Sequence, residues 1–224
     1  MPLNSAFMLE NIINLQILSF LIAILLGLTI HEFSHAFVAN YLGDPTAKYA
    51  GRLSLNPIRH LDPLGTVLLL IFLFTLGLGF GWGKPVPVNP YNLKHKHGEL
   101  LVSLAGPFSN FLLAILIAVL LELIPPALTA GWSQDFIKLF YTIILVNVML
   151  GLFNLLPIPP LDGSKVLFDL LPAGQTEIRN TLEKYGFVIL IAIIFFGITF
   201  LGAVAYYIYH ALLNLSALLH GIIY

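Results

Sequence analysis

Long apolar stretches separated by short polar ones make up most of the chain. A helix needs about 20 apolar residues to cross the hydrocarbon core of a bilayer. A shorter apolar stretch, Leu64–Phe80, has 17 residues and a glycine-rich end, so we expect it to dip into the membrane and return. A true crossing by this stretch is the alternative. The pattern predicts an all-α polytopic membrane protein with four clear transmembrane helices: Ile12–Leu42, Leu100–Ile124, Phe136–Leu156 and Gly186–Tyr209.

The two ends of the chain fit the same class. Residues Met1–Glu10 carry no Lys or Arg, unlike a cleavable signal peptide, so we expect the first apolar stretch to remain as a span. The tail His210–Tyr224 is apolar but too short to cross alone, so it either lies at the interface or extends the preceding helix. We expect a single membrane-embedded domain over residues 1–224, with a C-terminal helical segment over about 186–224.

The composition supports a membrane protein and narrows its chemistry. The 224 residues include 10 Lys and Arg and 11 Asp and Glu, for a net charge of −1, and only 9% are charged. A soluble domain has roughly 25% charged residues, so a water-soluble globule is excluded, and the apolar content excludes disorder. The lack of a basic run argues against nucleic acid as a partner. Because cysteine is absent, any metal must be held by His, Asp or Glu.

The basic residues predict the orientation in the membrane. Three polar segments, Gly43–Pro63, Trp82–Glu99 and Gly163–Tyr185, each carry three Lys or Arg residues, and the connection Pro125–Asp135 carries none. Because cationic loops stay on the cytoplasmic side, we expect the three basic segments to face the cytoplasm.

His31, Glu32 and His35 lie inside the first predicted span. Residues i and i+4 share one face of a helix, so both imidazoles can bind one Zn²⁺ ion. Glu32 lies beside that ion and can carry a proton between water and a leaving amine. The spacing is the metalloprotease signature His-Glu-x-x-His. A polar cluster that only holds helices together is the alternative, but such groups are costly in a span unless they bind something.

The sequence offers several candidates for a third ligand. Asp162 follows the proline-rich run Pro157–Pro160, which cannot continue a helix. Irregular backbone at membrane depth lines a cavity or is buried in protein, which favours Asp162 as the ligand. A helix cap is the alternative role for Asp162, and Asp169 is a weaker rival. We expect the histidines of the basic loops to be solvated: His60, His95 and His97.

Two further features suggest how a substrate could be held. Asn154 shares a helix face with Asn147 and Gly151, and its amide could stabilise an oxyanion, although a hydrogen-bonding ladder between helices is the open alternative. Glycines alternate with large residues over 77–83, and prolines keep 84–88 extended. This segment is either an exposed edge that pairs with a peptide or a plain re-entrant turn.

These motifs together resemble a known family. The HEFSH run at His31–His35 and the later run NLLPIPPLDG at Asn154–Gly163 are similar to the site-2 protease family of intramembrane zinc metalloproteases. Further runs resemble its compact bacterial and archaeal branch, and no PDZ or CBS segment is visible. These runs are DPTAKYAGRLSLNPIRHLDPLGT at Asp44–Thr66, WGKPVPVNP at Trp82–Pro90 and AGPFSN at Ala105–Asn110.

The resemblance implies a function and a site. It implies one Zn²⁺ ion per chain held by His31, His35 and Asp162, with Glu32 as the base and Asn154 near the substrate carbonyl or oxyanion. The expected protein is a multi-pass cell-membrane endopeptidase with a catalytic core over about 12–171. It would cleave membrane protein substrates within or near their transmembrane segments, from a site open to the cytoplasm.

Two other functions remain open at this point. One is a non-catalytic adaptor or transporter-like protein with a structural zinc site, which would need a fourth protein ligand. The other is a zinc hydrolase acting on a lipid or a small amide. The oligomeric state is not predicted.

Overall fold

The computed structural model describes residues 5–76, 79–125, 129, 131–172 and 175–223. These residues contain no β-sheet, in agreement with the predicted all-α class. Short turns of 3₁₀-helix lie at Pro57–Arg59 and Pro90–Asn92, and a π-helical turn lies at Ile193–Gly197. The α-helices are α1 (Ser5–Tyr41), α2 (Thr46–Tyr49), α3 (Pro63–Leu76), α4 (Gly98–Leu123), α5 (Gln134–Asn154), α6 (Asp162–Leu170), α7 (Thr176–Ala192) and α8 (Ile198–Ile223).

The number of candidate spans differs from the prediction of four. The described residues contain five helical stretches that are long and apolar enough to cross a membrane: Leu15–Tyr41, Gly98–Leu123, Gln134–Asn154, Thr176–Gly197 and Thr199–Leu218. The predicted last span Gly186–Tyr209 was wrong, because it covers parts of two helices.

The start of this span was misplaced because the charged residues before Gly186 were taken to indicate a loop. The first turns of α7 carry charges, and Arg179 Nε pairs with Glu183 Oε1 at 2.9 Å, one helical turn along. Such pairs let a helix begin before its apolar part. At the other end, α8 continues through the described part of the tail, so the tail extends the preceding helix.

The short apolar helix α3 is consistent with the predicted re-entrant segment. Its 14 residues extend about 21 Å at 1.5 Å per residue, less than the roughly 30 Å of a hydrocarbon core. The return of the chain to the same side stays a prediction. Gly77 and Leu78, at the start of the predicted glycine edge, lie outside the described residues.

The described chain divides into two compact units. The first comprises residues 5–27, 110–154 and 188–223, and the second comprises 28–109 and 155–187, omitting positions that are not described. In the first unit α5 packs against α8. Its buried core consists of Ala114, Ala118, Ile144, Val148 and Ala205. The three alanines are small residues, which allow helices to approach closely.

A buried amide pair also joins helices in the first unit. Asn110 Nδ2 donates to the Gly27 carbonyl at 3.0 Å and to Asn147 Oδ1 at 2.8 Å. A Cβ atom at Gly27 would lie 2.8 Å from Asn147 Oδ1, so the glycine permits this close approach. Asn147 therefore belongs to the predicted hydrogen-bonding ladder between helices.

The second unit contains the predicted extended element. Gly83 forms an isolated antiparallel bridge with Leu61, and the Lys84 amide donates to the His60 carbonyl at 2.9 Å. A Cβ atom at Gly81 would lie 2.6 Å from the Gly65 carbonyl oxygen. Gly81 therefore serves close packing of the chain on its own unit. Pairing of this edge with a substrate peptide stays a prediction.

A buried carboxylate fixes the chain after α1 in the second unit. Asp44 is fully buried and accepts hydrogen bonds from Thr46 N (3.1 Å), Thr46 Oγ1 (2.5 Å), Asn89 N (2.7 Å) and Asn92 Nδ2 (2.9 Å). Burial alone would raise the pKa of Asp44, but these donors outweigh it and hold the pKa below its ordinary value. Asp44 thus ties the end of α1 to the segment before α4.

Candidate metal centre

Three predicted ligands meet at one point in the second unit. His31 and His35 lie one turn apart on α1, and their Nε2 atoms are 3.0 Å apart. Asp162 Oδ2 lies 3.0 Å from His31 Nε2 and 3.1 Å from His35 Nε2. All three residues are buried, with exposed fractions of 5 to 9%. The chain therefore brings together residues that are up to 131 positions apart.

The local backbone explains how Asp162 reaches the histidines. The helix α6 begins at Asp162, directly after the proline-rich run, and its N-cap residue Leu161 makes no side-chain cap. A Cβ atom at Gly163 would lie 2.2 Å from the Leu155 carbonyl oxygen, so only glycine fits this turn. Asp162 Oδ2 points at the imidazoles, whereas its Oδ1 lies 4.0 Å from Lys165 Nζ. The capping role considered for Asp162 is not observed.

The helix α4 orients one imidazole and leaves room for both. His35 Nδ1 donates to the Val102 carbonyl at 2.7 Å, because a carbonyl oxygen can only accept. The lone pair of His35 then lies on Nε2, as a metal ligand requires. A Cβ atom at Gly106 would lie 2.4 Å from His35 Nε2 and 2.6 Å from His31 Nε2. The glycine is thus required for α4 to pass so close to the histidines.

The donor set fits a zinc ion. The ligand atoms of His31, His35 and Asp162 all lie within 4.8 Å of one another. Tetrahedral zinc with bonds of about 2.0–2.1 Å places neighbouring ligand atoms about 3.3 Å apart, close to the observed 3.0 and 3.1 Å. A cation would suit this cluster, because two imidazole nitrogens and one carboxylate oxygen converge there.

Glu32 lies next to this group without joining it. Its side chain is buried, and its Oε2 accepts a hydrogen bond from the Val86 amide at 3.1 Å. Val86 belongs to the extended segment after Gly83, so this segment contacts the predicted base directly. Within the described residues, the group that could hold a metal ion consists of the two histidines and Asp162.

The other predicted candidates lie elsewhere. Asp169 binds His97 Nδ1 at 2.7 Å, and both His95 and His97 are exposed, as expected for loop histidines. His60 was wrongly predicted to be solvated, since it is 1% exposed and its Nε2 contacts the Ser54 carbonyl at 2.6 Å. A basic loop can still fold over its own histidine, which composition does not reveal.

Asn154 makes a contact within its own helix. Its Nδ2 donates to the Leu150 carbonyl at 3.0 Å, so the proposed oxyanion role stays a prediction. Sequence reasoning also missed the close approach at Gly106 and the buried Arg52. The only signal for Gly106 in the sequence was its position beside Pro107 within a predicted span.

Comparisons with known proteins decide the family. Residues 123–197 match the sequence model described as Peptidase family M50. The chain is 40% identical over 176 residues to YwhC of Bacillus subtilis, named as a candidate zinc metalloprotease, with 77% of this chain and 78% of the relative covered. The chain belongs to peptidase family M50. This is the site-2 protease family, so the resemblance found in the sequence is confirmed.

Two further relatives of this M50 chain carry similar names. Rip2 of Mycolicibacterium smegmatis is 32% identical over 171 residues, covering 76% of this chain and 64% of the relative. MJ0611 of Methanocaldococcus jannaschii is 31% identical over 160 residues, covering 69% of this chain and 73% of the relative. Both are named as candidate zinc metalloproteases. No solved structure matches the chain.

The family and the fold together fix the coarse function. The protein is a multi-pass membrane protein and a zinc metalloprotease of the site-2 protease type. Its cofactor is zinc, for which the group His31, His35 and Asp162 has the appropriate donor atoms.

Proposed function

We propose that this M50 protein is an endopeptidase that cleaves peptide bonds within or next to the transmembrane segments of membrane proteins. The observation that carries the proposal is the convergence of Asp162 with His31 and His35, which lie beside Glu32 on a helix long and apolar enough to span the bilayer. Ionisable groups at such a depth are costly unless they serve a site. A protease with its site there acts on substrates that lie in the same membrane.

The residues of the site take distinct roles in this proposal. His31 and His35 supply imidazole nitrogens and Asp162 a carboxylate oxygen to the ion. When bound, zinc supplies a Lewis acid that polarises the scissile carbonyl and makes water more acidic. Glu32 takes a proton from the attacking water and delivers it to the leaving amine. A catalytic site of this kind keeps one position open, in line with a group of three protein ligands among the described residues.

We assign Asn154 to stabilisation of the substrate oxyanion. Its amide currently donates to the Leu150 carbonyl in its own helix, and a second amide hydrogen can serve another acceptor. Removing one oxyanion donor typically lowers kcat by about 10²- to 10³-fold. Asn154→Ala should therefore lose cleavage while keeping bound zinc.

The basic segments support a site that opens to the cytoplasm. The segment Gly43–Pro63 follows the helix that carries the histidines, and Gly163–Tyr185 begins directly after Asp162. Each carries three Lys or Arg residues, which favour the cytoplasmic side. Water would then reach the ion from that side. Labelling of single cysteines in these segments by a membrane-impermeant reagent, in right-side-out and inverted vesicles, tests the orientation.

The decisive experiment compares wild type with Glu32→Gln in detergent and in liposomes. Bound zinc is measured by mass spectrometry, and cleavage is followed on a model transmembrane peptide. We expect one zinc ion in both proteins and a loss of about 10²- to 10⁴-fold in the variant, the usual contribution of a general base. Glu177→Gln, which changes an exposed glutamate of α7, is the matched control and should cleave like wild type.

The same assay separates the other functions. Wild-type rates in Glu32→Gln would exclude the proposed base. Zinc binding by wild type without cleavage of any membrane peptide would favour a structural zinc site. Hydrolysis of a lipid or small amide in preference to the peptide would favour the third function.

A further inference from the structure

Arg52 is a buried cation at the side of the candidate site. It lies between α2 and the turn Pro57–Arg59 and is only 5% exposed. Its own backbone is fixed, since its amide donates to the Ala47 carbonyl at 2.8 Å and its carbonyl accepts from the Ser54 amide at 2.9 Å. Burial of a charge is expensive unless it is paired or hydrogen-bonded, so the contacts of Arg52 need an explanation.

The guanidinium holds the extended segment by its backbone. Arg52 Nη2 donates to the Lys84 carbonyl in a short contact, and Nη1 makes a longer one of 3.4 Å to the Pro85 carbonyl. Arg52 Nε has no hydrogen-bond partner among the described residues. The Lys84 amide is held in turn by the His60 carbonyl.

One peptide plane connects Arg52 with Glu32. The Pro85 carbonyl and the Val86 amide belong to the same peptide group, which is planar. Arg52 contacts its carbonyl oxygen, and Glu32 Oε2 accepts from its N–H at 3.1 Å. A cation at the carbonyl fixes the plane and strengthens the N–H as a donor, because hydrogen bonds in a chain polarise one another.

The electrostatics agree with this geometry. Burial lowers the pKa of the Arg52 guanidinium, and the negative charge of Glu32 opposes that shift. The two side chains therefore interact although no direct hydrogen bond joins them in the structure. A buried cation near Glu32 also reduces the cost of a buried carboxylate.

We propose that Arg52 is a positioning residue that holds the carboxylate of Glu32 through the Pro85–Val86 peptide group. The inference rests on the proposed role of Glu32 as the base. It assigns to the proline segment a role in orienting the base, in addition to any role in binding substrate. Because Arg52 acts through another residue, its loss should lower kcat more than it changes KM.

The first test compares Arg52→Met, Arg52→Lys and Arg59→Met. Arg59 is an exposed arginine seven positions later in the same loop and serves as the matched control. We expect Arg52→Met to lower kcat by about 10- to 100-fold, below the full contribution of a general base, with KM within about threefold and zinc content unchanged. Arg52→Lys keeps the charge and one donor, so it should recover part of kcat. Arg59→Met should behave like wild type.

The second test removes only the amide. Val86→Pro deletes the donor to Glu32, whereas Val86→Ala keeps it, so kcat should be clearly lower in the proline variant. If both changes act through one peptide group, the double variant Arg52→Met/Val86→Pro should be no slower than the slower single variant. Hydrogen exchange of a peptide covering Trp82–Val88 gives a readout apart from activity, and it should speed up in Arg52→Met but not in Arg59→Met.

Each result decides the inference. Wild-type kcat in Arg52→Met, a loss confined to KM, or loss of bound zinc would overturn it. Additive effects of the two changes would also overturn it. If Arg52→Met does not fold, the comparison of Val86→Pro with Val86→Ala decides. Failure of the proposed function would appear separately, as undiminished cleavage by Glu32→Gln.

Discussion

Gly106 provides a sharp test of the ligand geometry. A Cβ atom there would lie 2.4 Å from His35 Nε2 and 2.6 Å from both Cε1 and Nε2 of His31. Ordinary contacts begin at 3.4 Å, so in Gly106→Ala the imidazoles or α4 must move by about 1 Å. Correct metal sites keep their bond lengths within about 0.2 Å. The alanine methyl therefore cannot coexist with both histidines in their observed positions.

Two effects of Gly106→Ala oppose each other. Alanine favours a helix over glycine by about 1 kcal/mol, so the fold should not be lost. The displaced histidines, however, should weaken zinc binding, and a misplacement of about 1 Å in an active site lowers the rate by about 10²-fold. We expect the variant to lose zinc to a chelator that leaves wild type loaded, and to cleave at least about 100-fold more slowly.

The assay for Gly106→Ala measures zinc against a series of chelator concentrations, cleavage of a transmembrane peptide, and thermal unfolding in detergent. Gly202→Ala is the matched control, because a Cβ atom at Gly202 in α8 meets nothing within 4 Å. That variant should keep wild-type zinc affinity and activity. Wild-type zinc affinity and cleavage in Gly106→Ala would refute the close approach of α4 to the ligand nitrogens.

Two further predictions follow from the second unit. Asp162→Asn should weaken zinc binding by more than about 100-fold, because even outer-shell partners of a metal contribute 10- to 100-fold. The control Asp169→Asn should bind zinc like wild type. Equal zinc titrations of the two variants would contradict the assignment of Asp162 as a ligand. Asp44→Asn should lower the free energy of unfolding at pH 7 by about 1.5–3 kcal/mol, the size of hydrogen bonds to a charged group. Because the folded pKa of Asp44 lies below its ordinary value, its stabilisation is present above about pH 4 and is lost as the pH falls further. Thermal unfolding from pH 7 to pH 3 should therefore show the two proteins converging at acid pH, and a constant difference would count against the role of the carboxylate.

Features that depend on neighbouring residues along the chain could be predicted. The helix that carries His31 and His35 was predicted from the length of its apolar stretch. Their position on a common face was predicted from the helical repeat. The extended segment around Gly83 was predicted from the alternating glycines over 77–83 and the prolines that follow them. The same local reasoning failed at Thr176–Tyr185, because charges there are compatible with a helix end as well as with a loop.

The sequence by itself determined the class of the protein, the motif and the kind of metal ligand available. Only the tertiary structure decided that Asp162 Oδ2 lies 3.0 Å from the imidazole of His31, 131 positions earlier. It also decided that Gly106 leaves space for the two imidazoles, and that the buried Arg52 contacts the segment that is hydrogen-bonded to Glu32. Periodicity is a property of one element, whereas these contacts depend on how α1, α4, α6 and the loops pack. Packing is set by the whole set of side chains at once, and no short pattern along the chain encodes it.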